Sequence, residues 1–357
     1  MMAGGLPGRR NSSTADSGEV RLLMGKVMRH TCFLFITLAI GAITCVAQAC
    51  YTSGDMDAPT KNAIEAAGKK YFDMVTHGDS AGLKQNAIPS LADSFAGIES
   101  AVKDNQTNLS GAQGTVRPGY ELKVDGTAPI ERAEFLCGVF NKNGQTANSA
   151  EFVISNLAPG SYAVVIADAT GSKSPATVTF ILQQMGTDWK VGGLYIKNGT
   201  VNGHDAKWFA EQAKVYKSKN QNHNAWFYFL EARDLTSPLS FMYTQASDSL
   251  YDEAATVKPA DLPVAGTTVD LPGLAGKTYK LTAAFPLAVG NDFALVVKYQ
   301  VADVSDTAKT FQENTEVMKA VLAKFPEFRD GFDSVVARAV EPSGKDYGTM
   351  LPVKQIK

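Results

Sequence analysis

Residues 182–199 read LQQMGTDWKVGGLYIKNG, and this stretch organises the reading of everything around it. Val178, Phe180 and Leu182 put one continuous apolar face on the approach, Gly186 marks a turn, and residues 189–197 carry the chain back. A two-residue period on either side of a glycine turn is the pattern of paired antiparallel strands.

The same period extends upstream. Strands are expected at 133–140, 150–155, 161–169, 176–183 and 189–197, separated by turn signals at Asn143-Gly144, Pro159-Gly160, Gly171 and Gly186. Before about Glu121 the period is helical. Pro59 opens a helix in which Ile64, Ala67, Tyr71, Phe72 and Val75 share a face, with Gly78 as its C-cap. Residues 83–102 continue as helix in pieces, broken at Pro89. Helices followed by a meander of strands define an α+β fold class.

A first helix ending at His77-Gly78-Asp79 and a closing hairpin with the DWKV…YI pattern at 188–196 resemble exported members of the nuclear transport factor two-like superfamily. The resemblance covers residues 59–200. It implies a cone-like curved antiparallel sheet over helices with a cavity, and no particular activity, because one fold hosts many functions.

Residues 201–240 resemble one tetratricopeptide repeat. Phe209, Ala213, Tyr216, Ala225, Phe229 and Ala232 take its aromatic and small positions, Gln212 stands where leucine is usual, and Pro238 arrives one residue late. One such hairpin cannot bury its own face. It either packs on a neighbouring domain or offers that face to a partner. Trp208, Tyr216, Trp226 and Tyr228 belong to this aromatic crowd and form a candidate interaction surface.

Residues 241–276 read as a linker region, rich in proline, glycine and small residues. Residues 277–357 read as a second, smaller α+β domain. Its expected parts are a hairpin across Gly290-Asn291, a helix over 306–324 burying Phe311, Met318, Val321, Leu322 and Phe325, and strands near 332–340 and 350–355.

At the N-terminus, residues 1–23 read as a disordered leader or an over-long start ahead of Met24. Residues 24–49 read as an export signal: Arg21, Lys26 and Arg29 flank a run from Thr31 to Gly54 without a charged residue. Val46-Ala47-Gln48-Ala49-Cys50 resembles the bacterial lipobox, which implies acylation of Cys50 and a tether over 50–58. Three readings compete: a lipoprotein held at the membrane through Cys50, a secreted protein cut at the same bond, and an uncleaved anchor. Cys32 and Cys45 fall in the signal. Cys137 reads as a buried structural thiol, with a disulfide to Cys50 conditional on the tether docking.

The chain carries a formal net charge of −2 with Lys and Arg scattered, which gives nucleic acid no basic patch to bind. No local zinc spacing, phosphate-cradling loop or nucleophile elbow occurs, and no metal or cofactor is expected. Asp73 and His77, spaced i,i+4 with Asp79 beyond, are the one tempting catalytic pair. Histidine before a C-cap glycine is also what a helix dipole favours, and Asp79 reads equally as the next N-cap. His204-Asp205 reads as the N-cap region of the hairpin, and His223 as a solvated turn residue. Three Asn-x-Ser/Thr triplets, at Asn105, Asn108 and Asn198, read as chance in a bacterial chain. The expected function is a non-enzymatic envelope module that binds or assembles with another envelope protein. The alternative is a small-molecule binder or enzyme using the cavity of the cone.

Overall fold

A computed structural model describes residues 48–92, 94–142, 144–273, 276–290 and 292–357. The first strand, β1 (Gln48–Thr52), precedes four helices: α1 (Ala58–Thr76), α2 (Ser80–Gln85), α3 (Pro89–Ala92) and α4 (Ala96–Leu109). Seven strands follow: β2 (Gln113–Val116), β3 (Tyr120–Val124), β4 (Ile130–Asn141), β5 (Gly144–Leu157), β6 (Gly160–Thr170), β7 (Ala176–Met185) and β8 (Asp188–Asn198). A six-stranded antiparallel sheet runs β1-β3-β6-β7-β8, with β2 also paired to β6.

Alternation along β6 explains why both faces of this sheet are dry. Ala163, Val165 and Ala167 face the core shared with Ile64, Tyr71, Phe72 and Val75 of α1. Tyr162, Val164 and Ile166 face a second core with Phe135, Cys137 and Phe152 of the β4–β5 hairpin. The helix comes close because Gly68 has no side chain: a Cβ there would lie 2.4 Å from Val165 Cγ1. Asp57 caps α1 through the Thr60 amide, and the helix ends at His77 with Gly78 at φ +71°.

The rest of the chain adds α5 (Ala206–Ser218), α6 (Asn222–Thr236), β9 (Met242–Thr244), α7 (Gln245–Ala255), β10 (Val269–Pro272), β11 (Thr278–Val289), β12 (Asp292–Gln300), α8 (Thr307–Lys324), α9 (Phe328–Gly331), β13 (Ser334–Val340) and β14 (Asp346–Pro352). A five-stranded sheet runs β10-β11-β12-β13-β14, and only its β12–β13 pair is parallel, as the intervening α8 crossover requires. β9 joins the β4–β5 hairpin as a third, small sheet. The described residues are thus mixed α+β, with nine helices and three mostly antiparallel sheets, none of them closed.

Four expectations are corrected. The tether expected over 50–58 begins as β1, whose Cys50 pairs with Leu122 in the sheet register, and α1 already starts at Ala58. The linker expected over 241–276 contains β9, α7 and β10, and Leu271 within it is fully buried. Pro272 sits at the end of an edge strand, where its missing N–H is tolerated. Phe311, expected in the core, is 45% exposed. The inward stripe of α8 carries Thr310 and Asn314 instead, because Asn314 accepts from the Tyr299 hydroxyl (2.9 Å) and donates to Thr349 Oγ1 (2.9 Å). Finally, the last strand is β14 at 346–352 rather than 350–355, where residues 353–355 form a 3-10 turn.

Candidate functional site

The Asp73–His77 pair stands at the C-terminal end of α1. Its imidazole turns back on its own helix: Nδ1 lies 2.6 Å from the Asp73 main-chain oxygen. The ring adds to a carbonyl that already accepts from the His77 amide (3.1 Å) and the Thr76 hydroxyl (3.0 Å), instead of meeting the Asp73 carboxylate. Asp79 accepts from the Gly82 amide (2.8 Å) as the N-cap of α2. Both capping readings describe the observed geometry.

Beside this helix end is a concavity of about 410 Å³ between α1 and β2, with Phe72 beneath and Lys69, Asp73, His77 and Gln113 around it. Gly114 keeps it open, since a Cβ there would come within 2.7 Å of the Phe72 ring. A second concavity of about 280 Å³ lies over Lys70, Tyr71, Asn86 and Asp188. Two of its polar groups are engaged: Tyr71 donates to the Trp189 carbonyl (2.7 Å) and Lys70 to Asn86 Oδ1 (2.7 Å). The first is bounded by the end of α1 and by β2, the second by α1 and the β7–β8 turn. Between α1 and the sheet, Phe72, Val75, Phe180 and Leu182 fill the space.

The aromatic hairpin faces inward. Tyr216 and Tyr228 are buried, and their hydroxyls donate to the Asp330 and Gly331 carbonyls at 2.7 Å each. Phe209 and Tyr228 meet Phe293 edge-on at 5.0 and 5.1 Å, which docks the hairpin on the C-terminal sheet. Of the four candidate surface residues, only Trp208 and Trp226 keep partial exposure. Trp208 is stacked under His204 at 3.6 Å, next to the Asp205 cap of α5, and Lys258 lies over Trp226. Tyr216 and Tyr228 are therefore corrected from interaction surface to core.

His223, expected in solvent, is a clasp. Its Nε2 lies 2.8 Å from Asp261 Oδ1, its Nδ1 lies 2.8 Å from Glu327 Oε1, and its ring rests on Phe325 and Phe328. The contact gathers α6, the loop after α7 and the α8–α9 turn. Glu231 was not singled out by sequence. It is 6% exposed on α6, and burial first, then repulsion by Asp234, push its carboxyl up to about 7, against an opposing pull from Lys197. Its only sequence signal is an acidic residue inside the apolar run Trp226–Ala232.

Cys50 is bonded to Cys137, with Cα atoms 5.1 Å apart, and the bond staples β1 to β4 across 87 positions of sequence. A sulfur in a disulfide has no thiol left to form a thioether, so the lipid-attachment expectation at Cys50 is corrected, as is the expectation that Cys137 is a thiol. Among the described residues no group of His, Cys, Asp and Glu is placed to hold a metal ion, and no helix is long and apolar enough to cross a membrane. The leader expected at 1–23 and residues 24–47 of the signal expected at 24–49 lie outside the described residues, and Gln48 and Ala49 belong to β1. No family model matches the chain, and no curated protein or solved structure is similar to it.

Proposed function

We propose that this chain is an exported, non-enzymatic binding or assembly module of the cell envelope. The Cys50–Cys137 disulfide carries the reading, because such bonds form and persist where the surroundings are oxidising. The basic flank and uncharged run ahead of it supply the export route. We also read the six-stranded sheet with α1 and α4 against one face as the cone-like arrangement of the nuclear transport factor two-like superfamily, in support of which Trp189 of the closing hairpin turns into the core. The apolar filling beneath that sheet favours a partner bound on the outside over a ligand held within. Cell fractionation tests the proposal: the protein should be released with extracytoplasmic contents and carry no thiol reactive to maleimide until reduced. Recovery in the cytosol with Cys50 and Cys137 both reactive would contradict it.

A further inference from the structure

The helices that pack on the five-stranded sheet all meet one face. Phe293, Leu295, Val297 and Tyr299 of β12 turn toward the core that α5, α6 and α8 complete. The alternate residues Asp292, Ala294, Val296 and Lys298 turn the other way. Ala294 and Val296 are buried, yet they belong to none of the three apolar cores of the described residues. Their neighbours in the register are Phe285, Leu287, Val336 and Ser334, with Met350 and Pro352 on the strand beyond. Leu287 and Met350 are 39% and 36% exposed, so the face presents apolar surface to its surroundings. It ends in two opposite charges. The Asp292 carboxylate has no ion-pair partner among the described residues. The Lys298 ammonium lies over the Phe285 ring with no carboxylate beside it. At ~3.3 Å per residue the two charges stand ~20 Å apart, so neither neutralises the other.

We propose that this face docks a second copy of the chain, sheet against sheet, about a two-fold axis that sets β12 antiparallel to its counterpart. The register forms two rows across the face, Phe285-Val296-Val336-Met350 and Leu287-Ala294-Ser334-Pro352. In this arrangement each row of one copy lies over the other row of the second. Val296 meets Ala294 and Val336 meets Ser334, so large side chains fall over small ones at the centre. Asp292 of each copy meets Lys298 of the other, across the ~10 Å between packed sheets that the two side chains together bridge. A two-fold axis along the strands fails on both counts, because it sets Val296 over Val336 and Lys298 over Arg338. Four strands at ~4.8 Å spacing, each about seven residues long, offer on the order of 450 Å² per copy. That is the low end of specific interfaces, so the dimer is reversible rather than obligate. It forms wherever the protein resides and does not rest on the export reading.

Analytical ultracentrifugation of the purified protein over a wide concentration range tests this. The mass should rise reversibly from monomer to dimer, and a monomer at every concentration would overturn the inference. Asp292→Lys and Lys298→Asp should each raise the dissociation constant at least about tenfold, because each sets like charges together in its own dimer. Mixed in equal amounts, the two variants should pair with each other, since every charge then meets its opposite again. A dimer unaffected by either exchange, or variants that stay monomeric when mixed, would overturn the inference. Leu287→Glu provides the second arm, as it leaves both charges in place and polarises the apolar row between them. It should weaken the dimer too, and unchanged assembly would contradict the proposed face.

Discussion

Replacing Glu231 by glutamine should stabilise the protein, and by an amount that depends on pH. The carboxyl is 6% exposed on α6, and its pKa is raised from an ordinary 4.5 to about 7, burial being the larger cause and Asp234 the second. A group whose folded pKa is raised contributes stability that is fully present below about pH 4.5 and is lost as the pH climbs through about 7. That difference is roughly 2.5 pH units, and at ~1.4 kcal/mol for each it comes to about 3 kcal/mol. Because the group is buried, little of this is screened. Glu231→Gln keeps the shape and removes the charge. Urea unfolding at pH 8 should therefore give the variant an advantage on the order of 2–3 kcal/mol that shrinks toward zero near pH 4.5. An advantage independent of pH, or a variant weaker than the parent at pH 8, would refute the reasoning. The latter would mean that Lys197 compensates the charge.

Reducing the disulfide, or changing both Cys50 and Cys137 to alanine, should lower stability by about 2–5 kcal/mol in denaturant titration, since the bond closes a long loop. Gly68→Ala should cost about 1–3 kcal/mol, because the new methyl meets Val165 Cγ1 at 2.4 Å, and Val165→Ala in the same chain should recover part of that loss. His223→Ala should cost about 1–3 kcal/mol, as it leaves Asp261 and Glu327 without their common partner, and Glu327→Gln in the alanine background should restore some of it. Phe311→Ser should change the unfolding free energy by no more than about 0.5 kcal/mol in denaturant titration, whereas Val321→Ser on the same helix should be severe.

What sequence made legible was local periodicity. The strands from β4 to β8 were readable because each keeps at least one apolar face at a two-residue spacing and is closed by a glycine or proline turn. α8 was readable from Asp306 at its cap and Pro326 past its end, but its inward face was not. Asn314 earns its place there only through Tyr299 and Thr349, which arrive from different strands. β1 looked like a tether because QACYT has no alternation of its own, and its partner β3 comes after four helices. β10 was hidden by its proline. In the candidate site, the helix-end role of His77 was visible from Gly78 behind it, whereas the carboxylates around His223 come from segments that only the tertiary fold brings together.

The staple between β1 and β4 is the claim on which export and the corrected role of Cys50 both turn. Peptide mapping of protein purified from its own cells without reductant reads it directly. A cross-linked species is expected that joins the Cys50 peptide ending at Lys61 to the peptide spanning 133–142 and vanishes on reduction, with no fatty acyl mass on Cys50. Free thiols at both positions, or an acylated Cys50 beside a free Cys137, would contradict it.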